Sequence, residues 1–268
     1  MSYPIYQIDA FTSELFKGNP AAVMPLKAWL PDETLQALAA ENNLSETAFF
    51  VHEPGADDSD FHIRWFTPRI EVPLCGHATL ASAWVIFNKL NWPAEHIRFH
   101  SKSGPLGIHK APDDWLVLDF PNLPVEERET PANISGALEG APATAFYVPG
   151  DSNYMVVLEN ETAVKAAQPD MRMLKELDNL GLIITAPGET ADFVSRYFAP
   201  GAGLDEDPVT GSIHSVLVPY WAEKLGKTIL EARQLSARGG FLRCELKGDR
   251  VAIAGQAAFY MEGTVHMD

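Results

Sequence analysis

The sequence predicts an α+β protein built from two pseudo-symmetric halves, each with a sheet curled around one buried helix. Three observations predict it: an internal repeat, short strands rich in aromatic and β-branched residues, and one almost wholly apolar helix in each half. The 268 residues suffice for one large domain or for two of about 130 residues. Apolar residues make up 46% of the chain and charged residues 21%, as in ordinary soluble globular proteins.

The repeat is clearest between DFHIRWFTP at residues 60–68 and DFVSRYFAP at residues 192–200, an offset of 132 (192 − 60). Neighbouring segments match in the same order at offsets of 134 (153 − 19) and 135 (210 − 75 and 249 − 114): residues 19–24 with 153–158, 75–79 with 210–214, and 114–118 with 249–253. Chance similarity among strands is the alternative. The shared order of the matching segments favours a duplication, in which each half is one copy of the same structural unit.

The remaining elements follow from local pattern. Strands are predicted at residues 6–11, 21–24, 46–52, 61–66, 97–100 and 115–120 in the first half, and at 153–158, 181–185, 193–198, 242–246 and 251–254 in the second. Surface helices are predicted at residues 31–42, opened by proline and acids, and near 169–180. The halves are placed at residues 1–121 and 140–257, joined by a Pro- and Glu-rich linker at 122–139 and followed by a C-terminal strand or tail at 258–268.

One helix in each half, at residues 78–90 and 213–225, is apolar over most of its circumference. A helix of this kind must be buried on nearly all sides, which predicts that the strands of each half enclose it. Pro219 is expected to kink the second of these helices.

Composition excludes several classes of partner. The net charge of −16 repels nucleic-acid phosphates and anionic lipid, and no basic cluster offsets it. No apolar run approaches the roughly 18 residues of a membrane span, and the first residues lack the pattern of a signal peptide. Two cysteines, Cys75 and Cys244, fit a reducing compartment. We therefore expect a cytoplasmic protein without nucleic-acid or membrane partners; exposed sheet strands are compatible with a homodimer.

Both buried helices open on a glycine, in CGH at residues 75–77 and in TGS at residues 210–212. Glycine lets a ligand approach free backbone N–H groups, and the helix dipole favours an anion there. Two such ends converging where the halves meet would bind a small carboxylate. The alternative is ordinary helix capping by Thr210 and Ser212.

Two carboxylates are candidates for proton transfer. Asp205, Glu206 and Asp207 precede the second helix, and three acids beside an anion site repel one another unless one is protonated or serves as a base. Asp207, nearest the following proline, is our choice; a cluster favoured by the helix dipole is the alternative. Glu46 opens a buried strand, where desolvation can tune a general acid/base, although such residues are usually solvated edge charges.

Two side chains at the first helix start have open roles. His77 either carries a proton or donates a hydrogen bond to the substrate, or it is a structural histidine whose hydrogen bonds are made within the protein. Cys75 is either a thiolate base, favoured by the helix N-terminus, or a small packed hydrophobe. Cys244 alternates within a strand and is expected in the core. The remaining histidines lack metal-ligand spacing and no nucleotide-binding motif is present, so we predict neither a metal site nor a cofactor.

At these residues the sequence resembles the phenazine-biosynthesis PhzF-like isomerases, which are related to diaminopimelate epimerase. The resemblance spans nearly the whole chain. It rests on DAFT at residues 9–12 with GNPAAV at 18–23, SETAF at 45–49, CGHAT at 75–79 and DPVTGS at 207–212.

The resemblance implies two pseudo-symmetric halves, each a barrel-like, mostly antiparallel sheet around a central helix, with the active site between them. It also implies proton-transfer chemistry without cofactor or metal. The family's catalytic glutamate falls on Glu46, and its supporting polar residues fall on His77 and Asp207. Backbone amides that bind the substrate carboxylate fall on Gly76, Gly211 and Ser212; Asn19 and Thr210 complete the expected substrate-binding set.

Three functions remain open at this stage. The first is a cofactor-independent isomerase that moves a proton on a small carboxylate-bearing substrate through Glu46. The second is a racemase or epimerase that uses Cys75; the related epimerases use two cysteines, whereas this chain offers Thr210 at the second position. The third is a small-acid-binding protein without turnover. Glu46 is expected to have no acidic counterpart in the second half, because the residue that corresponds to it in the repeat is Leu182 or one of its neighbours.

Overall fold

The computed structural model describes residues 1–54, 59–138, 141–151, 153–177 and 181–267, and these form an α+β protein dominated by strands. The chain folds into two compact units. One contains Met1–Asp119 with Ala254–Asp268, and the other contains Phe120–Ile253. The C-terminal segment therefore completes the first unit rather than the second.

The elements follow in chain order. The first part contains β1 (Ser2–Ala10), β2 (Asn19–Leu26), α1 (Asp32–Asn42), β3 (Glu46–His52), β4 (Phe61–Phe66), β5 (Glu71–Val72), α2 (Gly76–Asn88), β6 (His96–His100), β7 (Leu106–Ala111) and β8 (Trp115–Pro121). The second part contains β9 (Glu126–Glu129), α3 (Ala132–Ala137), β10 (Thr144–Val148), β11 (Asn153–Val157), α4 (Glu161–Ala166), α5 (Met171–Lys175), β12 (Gly181–Pro187), β13 (Phe193–Ala199), a 3₁₀ turn (Pro200–Ala202), β14 (Leu204–Asp207), α6 (His214–Leu225), β15 (Ile229–Gln234), β16 (Gly240–Lys247), β17 (Arg250–Gly255) and β18 (Ala257–His266).

Strand pairing repeats from one unit to the other. In the first unit the antiparallel pairs are β18–β1, β1–β2, β3–β4, β6–β7 and β7–β8. The parallel pairs are β2–β3 and β4–β6. In the second unit β9 is antiparallel to β10, β10 to β11, β12 to β13 and β15 to β16, while β11–β12 and β13–β15 are parallel. Each parallel pair is bridged by a crossover that contains a helix, as parallel strands require. The duplication therefore extends to the topology of the mostly antiparallel sheet.

The predicted domain boundaries need two changes. The segment predicted as a linker, residues 122–139, contains β9 and α3, and β9 pairs with β10. The segment predicted as a C-terminal strand or tail is the strand β18, which pairs along the whole of β1 and belongs to the first unit. All four residues of β9 are exposed, so no hydrophobic alternation marks this strand in the sequence.

The two apolar helices are buried as predicted. In α2 every residue except Trp84 and Asn88 is buried, and the helix packs on β1, β2, β3 and β18. In α6 seven residues are buried, and this helix contacts β15 and β16.

Pro219 lies inside α6, which continues as one helix from His214 to Leu225. Proline has no N–H with which to bond the carbonyl of Ser215, four residues earlier. The N–H of Leu123 donates to that carbonyl at 3.0 Å, so the lost helical bond is replaced. The helix therefore accommodates Pro219 without ending there. The predicted kink at this residue remains a prediction.

The surface helix predicted near residues 169–180 is wrong in extent. The structure has two shorter helices, α4 and α5, and residues 178–180 lie outside the described part of the chain. Pro169 separates the two helices, and the Asp170 carboxylate caps α5 by accepting from the Arg172 N–H at 2.8 Å. Within the described ranges, no helix is both long and apolar enough to cross a membrane.

Candidate active site

Asn19 is placed by the tight connection between β1 and β2. The buried Asp9 carboxylate accepts from the Phe16 N–H at 2.9 Å and so closes the loop. Gly18 has a φ of +62°, and a Cβ there would lie 2.1 Å from the carbonyl oxygen of Ala10, so glycine is required. The DAFT and GNPAAV segments therefore fix the loop that presents Asn19 at the first position of β2, fully buried.

Glu46 is the first residue of β3, opposite Ala21 of the parallel strand β2. Its side chain is 14% exposed, in contrast to the solvated edge charge that such a position usually carries. Oε2 of Glu46 lies 3.3 Å from Nε2 of His77. The carboxylate is therefore shielded from bulk water and held beside an imidazole.

His77 lies in the first turn of α2 and is 4% exposed. Burial lowers its pKa to about 3, so the imidazole is neutral near pH 7. Nδ2 of Asn19 lies 3.1 Å from Nδ1 of His77. With the amide donating to Nδ1, the imidazole proton resides on Nε2, which faces Glu46. Nε2 of the neutral ring thus faces Oε2 of the Glu46 carboxylate at 3.3 Å.

Cys75 is the N-cap residue of α2, and its Sγ lies 3.4 Å from Nδ1 of His77. The thiol is buried, as the packed-hydrophobe interpretation expects, yet it contacts a polar site residue, as the catalytic interpretation expects. Its side chain makes no capping hydrogen bond to the helix. The first N–H groups of α2, which begin at Gly76, have no acceptor within the helix, so they offer donors to an anion.

Donor atoms of three of these residues lie close enough to hold a metal ion. Among the described residues, Glu46, Cys75 and His77 each offer one ligand atom, and these atoms lie within 4.8 Å of one another. The prediction of no metal site rested on spacing along the chain, which does not reveal this group.

In the second unit the structure separates the three acids before α6. Asp205 is exposed, Glu206 forms an ion pair with Arg196 at 2.7 Å, and Asp207 is 5% exposed at the end of β14. Oγ1 of Thr210 donates to Oδ2 of Asp207 at 2.5 Å. Asp207 is therefore the buried carboxylate of the cluster. Its role in proton transfer remains a prediction.

A glutamine that sequence reasoning missed fixes this loop. Gln234 is fully buried at the end of β15. Its Oε1 accepts from the Thr210 N–H at 2.8 Å, and its Nε2 donates to the Asp207 carbonyl at 2.9 Å. A polar residue at an inward-facing strand position is the signal that could have identified it.

The start of α6 differs from the prediction. The α-helix begins at His214, three residues after Gly211, and its N-cap is Ile213 rather than Thr210 or Ser212. Before it the chain makes tight turns, with the His214 N–H donating to the Gly211 carbonyl at 3.1 Å. Because Thr210 is bound to Asp207 and Gln234, the chain turns before it enters the helix. The two helix starts are therefore alike in sequence but not in local structure.

Strand register identifies the counterpart of Glu46. Trp65 and Tyr197, which correspond in the repeat, pair with Ala48 and Ile183 respectively. Two residues before these are Glu46 and Gly181, the first residues of β3 and β12. The counterpart is therefore Gly181, the neighbour of Leu182.

The space beside Gly181 is already filled. A Cβ there would lie 2.2 Å from Oη of Tyr197 and 2.4 Å from Oδ1 of Asn153. Oδ1 of Asn153 accepts from both the Gly181 N–H, at 2.9 Å, and the Tyr197 hydroxyl, at 3.1 Å. The second unit therefore has no room for a side chain where the first unit carries its glutamate.

We predict that Gly181→Ala lowers the free energy of unfolding by about 1–3 kcal/mol, because the methyl group overpacks a filled site. Gly107→Ala in β7, where no atom lies within 4 Å of the added Cβ, is the control and is expected to change it by about 0.5 kcal/mol at most. Urea unfolding measures both. Equal effects of the two substitutions would contradict the filled site.

His214 is a buried titratable group outside the predicted set. Its Nδ1–H donates to the Thr210 carbonyl at 2.9 Å, as Oγ1 of Thr79, its counterpart, donates to the carbonyl of Cys75. Burial lowers the pKa of His214 to about 4. The unfolded chain therefore binds a proton at higher pH than the folded chain does.

The consequence is a loss of stability in acid. The contribution of His214 is fully present above its unfolded pKa of about 6.5 and is lost as the pH falls from there towards 4, by up to roughly 3 kcal/mol. His214→Asn keeps a donor for Thr210 but removes the titration. We predict a flatter dependence of unfolding free energy on pH in this variant, measured by urea unfolding at pH 7 and pH 4.5. Parallel curves for the two proteins would contradict a neutral buried His214.

A groove of about 870 Å³ in the second unit lies away from these residues. It is lined by parts of α3, α4 and the end of β11, and none of the predicted site residues contributes to it. We therefore base the site on the side-chain clusters described above.

Comparison with known proteins supports an isomerase. Residues 8–263 match the family model described as phenazine biosynthesis-like protein. An uncharacterised isomerase of Pseudomonas aeruginosa is 49% identical over 267 residues, which cover all of both chains. A crystal structure of a PhzF-family phenazine biosynthesis protein from Enterococcus faecalis has a TM-score of 0.92 and 46% identity, again over all of both chains. A hydroxyproline epimerase from Agrobacterium vitis shares the fold alone, with a TM-score of 0.64 at 9% identity, covering 98% of this chain and 92% of that chain.

Proposed function

The chain belongs to the phenazine biosynthesis-like family and is an isomerase, and on this premise we propose that Glu46 moves a proton within a small carboxylate-bearing substrate. The observation that carries the proposal is the shielded Glu46 carboxylate held 3.3 Å from the neutral imidazole of His77. A carboxylate that is shielded from bulk water and held in one place is a suitable general acid/base, because proton transfer requires the group to lie within hydrogen-bond reach of the reacting carbon.

The proposed reaction balances without any further reactant. The Glu46 carboxylate removes a proton from a carbon near the substrate carboxylate, and the electron pair left behind is delocalised into the adjacent unsaturated system. The carboxyl proton of Glu46 exchanges with solvent while the intermediate is bound, and Glu46 then delivers a proton to a different carbon, so the substrate is rearranged and the enzyme is restored. His77 keeps the Glu46 carboxylate in position during both transfers. Amides at the start of α2, including Gly76, are proposed to stabilise the charge that builds up on the substrate.

The residues of the second unit have supporting roles in this proposal. Asp207 would orient the substrate or relay the proton, while Gly211 and Ser212 would bind its carboxylate. Thr210, predicted to bind the substrate as well, would hold the loop instead, because its N–H donates to Gln234 and its hydroxyl to Asp207. What supports Asp207 is its burial and the hydrogen bonds that hold its loop. The proposed route needs no redox group or metal, so dialysis against a chelator is expected not to lower the rate. We still predict that the protein has no nucleic-acid or membrane partner and that it lies in the cytoplasm. A homodimer also remains a prediction.

The direct test is deuterium uptake from D₂O. Candidate β,γ-unsaturated acids and amino acids are incubated with the wild-type protein and with Glu46→Gln, and incorporation is followed by NMR. We expect incorporation into at least one substrate class with the wild type and its loss with the variant. Unchanged exchange in Glu46→Gln would remove Glu46 from the central role.

A Cys75-dependent racemase or epimerase is the second candidate, favoured by the 3.4 Å contact between Cys75 Sγ and His77 Nδ1. Two-base chemistry needs a partner, and Thr210 occupies the matching position. Cys244 is buried within β16, where burial raises the pKa of its thiol, so it is a poor base. Loss of exchange in Cys75→Ser with Glu46→Gln still active would favour this candidate. A binding protein without turnover is disfavoured because the relatives are named isomerases.

A further inference from the structure

We propose that Glu46, Cys75 and His77 form a binding site for a thiophilic divalent cation, for which Zn²⁺ is the probe, and that the bound ion inhibits the enzyme. The three residues supply a carboxylate oxygen, a sulfur and an imidazole nitrogen within 4.8 Å of one another. This is a mixed soft and borderline donor set, which favours Zn²⁺ over Mg²⁺ or Ca²⁺.

The distances suit a tetrahedral ion. Zinc binds sulfur at about 2.3 Å and nitrogen or carboxylate oxygen at about 2.0–2.2 Å, which places neighbouring donors on the order of 3.3–3.7 Å apart. Oε2 of Glu46 lies 3.3 Å from Nε2 of His77, and Sγ of Cys75 lies 3.4 Å from Nδ1 of the same ring. These two contacts are made to different ring nitrogens, and only one of the nitrogens coordinates the ion. The side chains must therefore rotate to direct all three donors, which lie within 4.8 Å of one another, towards one point.

Three protein ligands leave a fourth position for water, the arrangement of an open zinc site. The Cys75 thiol becomes a thiolate and releases its proton to solvent, so binding at neutral pH yields protons. When Nε2 coordinates the ion, the ring proton moves to Nδ1, and a turned Asn19 amide can accept it through Oδ1 and so orient the ring from the second coordination sphere.

The inhibitory part of the inference rests on the proposed function. An ion coordinated by Glu46 removes the lone pair that takes the substrate proton, and coordination of His77 removes its hold on that carboxylate. The binding part does not depend on turnover. The two parts can therefore fail separately.

The test uses the full chain, stripped with a chelator and dialysed into metal-free buffer. Zn²⁺ affinity and stoichiometry are measured by titration calorimetry, and Co²⁺ is used as a spectroscopic probe of thiolate ligation. The variants are Cys75→Ser, His77→Gln and Glu46→Gln. Cys244→Ser is the matched control, because it removes the other cysteine, which lies in β16 of the second unit. Circular dichroism checks the fold of each variant.

We expect one Zn²⁺ per chain and a thiolate-to-cobalt charge-transfer band. Cys75→Ser should abolish the band and weaken Zn²⁺ binding on the order of 100-fold. Loss of a residue that only contacts a metal ligand already lowers metal affinity by up to about 100-fold, so loss of the ligand itself should cost at least as much. Cys244→Ser should retain both. Addition of Zn²⁺ should stop deuterium exchange by the wild type, and chelator should restore it.

Undiminished binding by Cys75→Ser, or a band that vanishes in Cys244→Ser instead, would overturn the site. Binding as expected combined with no exchange on any substrate would leave the site intact and count against the proposed function. Exchange that continues with the site saturated would refute the inhibition while leaving the binding in place.

Discussion

Glu46→Gln is expected to lower kcat for proton exchange by about 10³-fold, within the range that a positioned general acid/base contributes. The amide has nearly the same size as the carboxylate but cannot accept the substrate proton at neutral pH. Because His77 and the start of α2 stay in place, substrate binding is expected to change much less than turnover. The measurement is the rate of deuterium incorporation as a function of substrate concentration, which separates kcat from KM.

Glu53→Gln is the control for this substitution. Glu53 follows directly after β3 and is exposed, with 60% of its side chain accessible, so the same chemical change is made at the other end of the strand. Glu53→Gln is expected to retain the wild-type rate. A large loss in both variants would indicate damage to β3 rather than the removal of a catalytic group, and melting curves of both proteins check this directly.

Asp207→Asn is expected to lower kcat/KM by about 10²-fold, the lower end of the effect of a proton-transfer group. The asparagine can still accept from the Thr210 hydroxyl through Oδ1, so the loop before α6 is expected to keep its conformation. What is lost is the negative charge of a carboxylate that is only 5% exposed. The loss should therefore appear in turnover and not in the melting temperature.

Asp205→Asn provides the matched comparison, because it removes a charge from the same acidic cluster at an exposed position. It is expected to leave kcat/KM unchanged. Equal losses in Asp205→Asn and Asp207→Asn would show that the net charge of the cluster matters rather than the buried carboxylate. Wild-type activity in Asp207→Asn would remove this residue from the site.

Local pattern predicted the central strands well. The bounds of β3 and β4 agree with the sequence prediction at both ends, because their aromatic and β-branched residues are buried and so leave a strong pattern. The same reasoning missed β9 and left residues 258–268 open as a strand or a tail, because the residues of β9 and most of those of β18 are exposed or only partly buried. Backbone pairing with β10 and β1 defines those strands, and such pairing leaves no trace in side-chain hydrophobicity.

The identities of the site residues came from short motifs, but their interactions did not. Glu46 and His77 are 31 residues apart (77 − 46), and only the packing of α2 against β2 and β3 brings the carboxylate to the imidazole. Asn19 lies beside Nδ1 of His77, and Nε2 on the other side of the ring faces Glu46. The metal-binding group could not be predicted from spacing, because one of its three donors is distant in sequence.

The sequence by itself determined the duplication, the fold class, the family and the residues of the first helix start, since these depend on repeated local pattern and residue type. The tertiary structure decided how the two repeats differ. Glu46 has a shielded place beside His77, whereas Gly181 at the matching position is enclosed by Tyr197 and Asn153. In the second unit neighbouring side chains fill the space beside Gly181, whereas in the first unit the carboxylate of Glu46 occupies the matching space. Which side chain fills such a space depends on strands that are distant in the sequence, so local pattern cannot predict it.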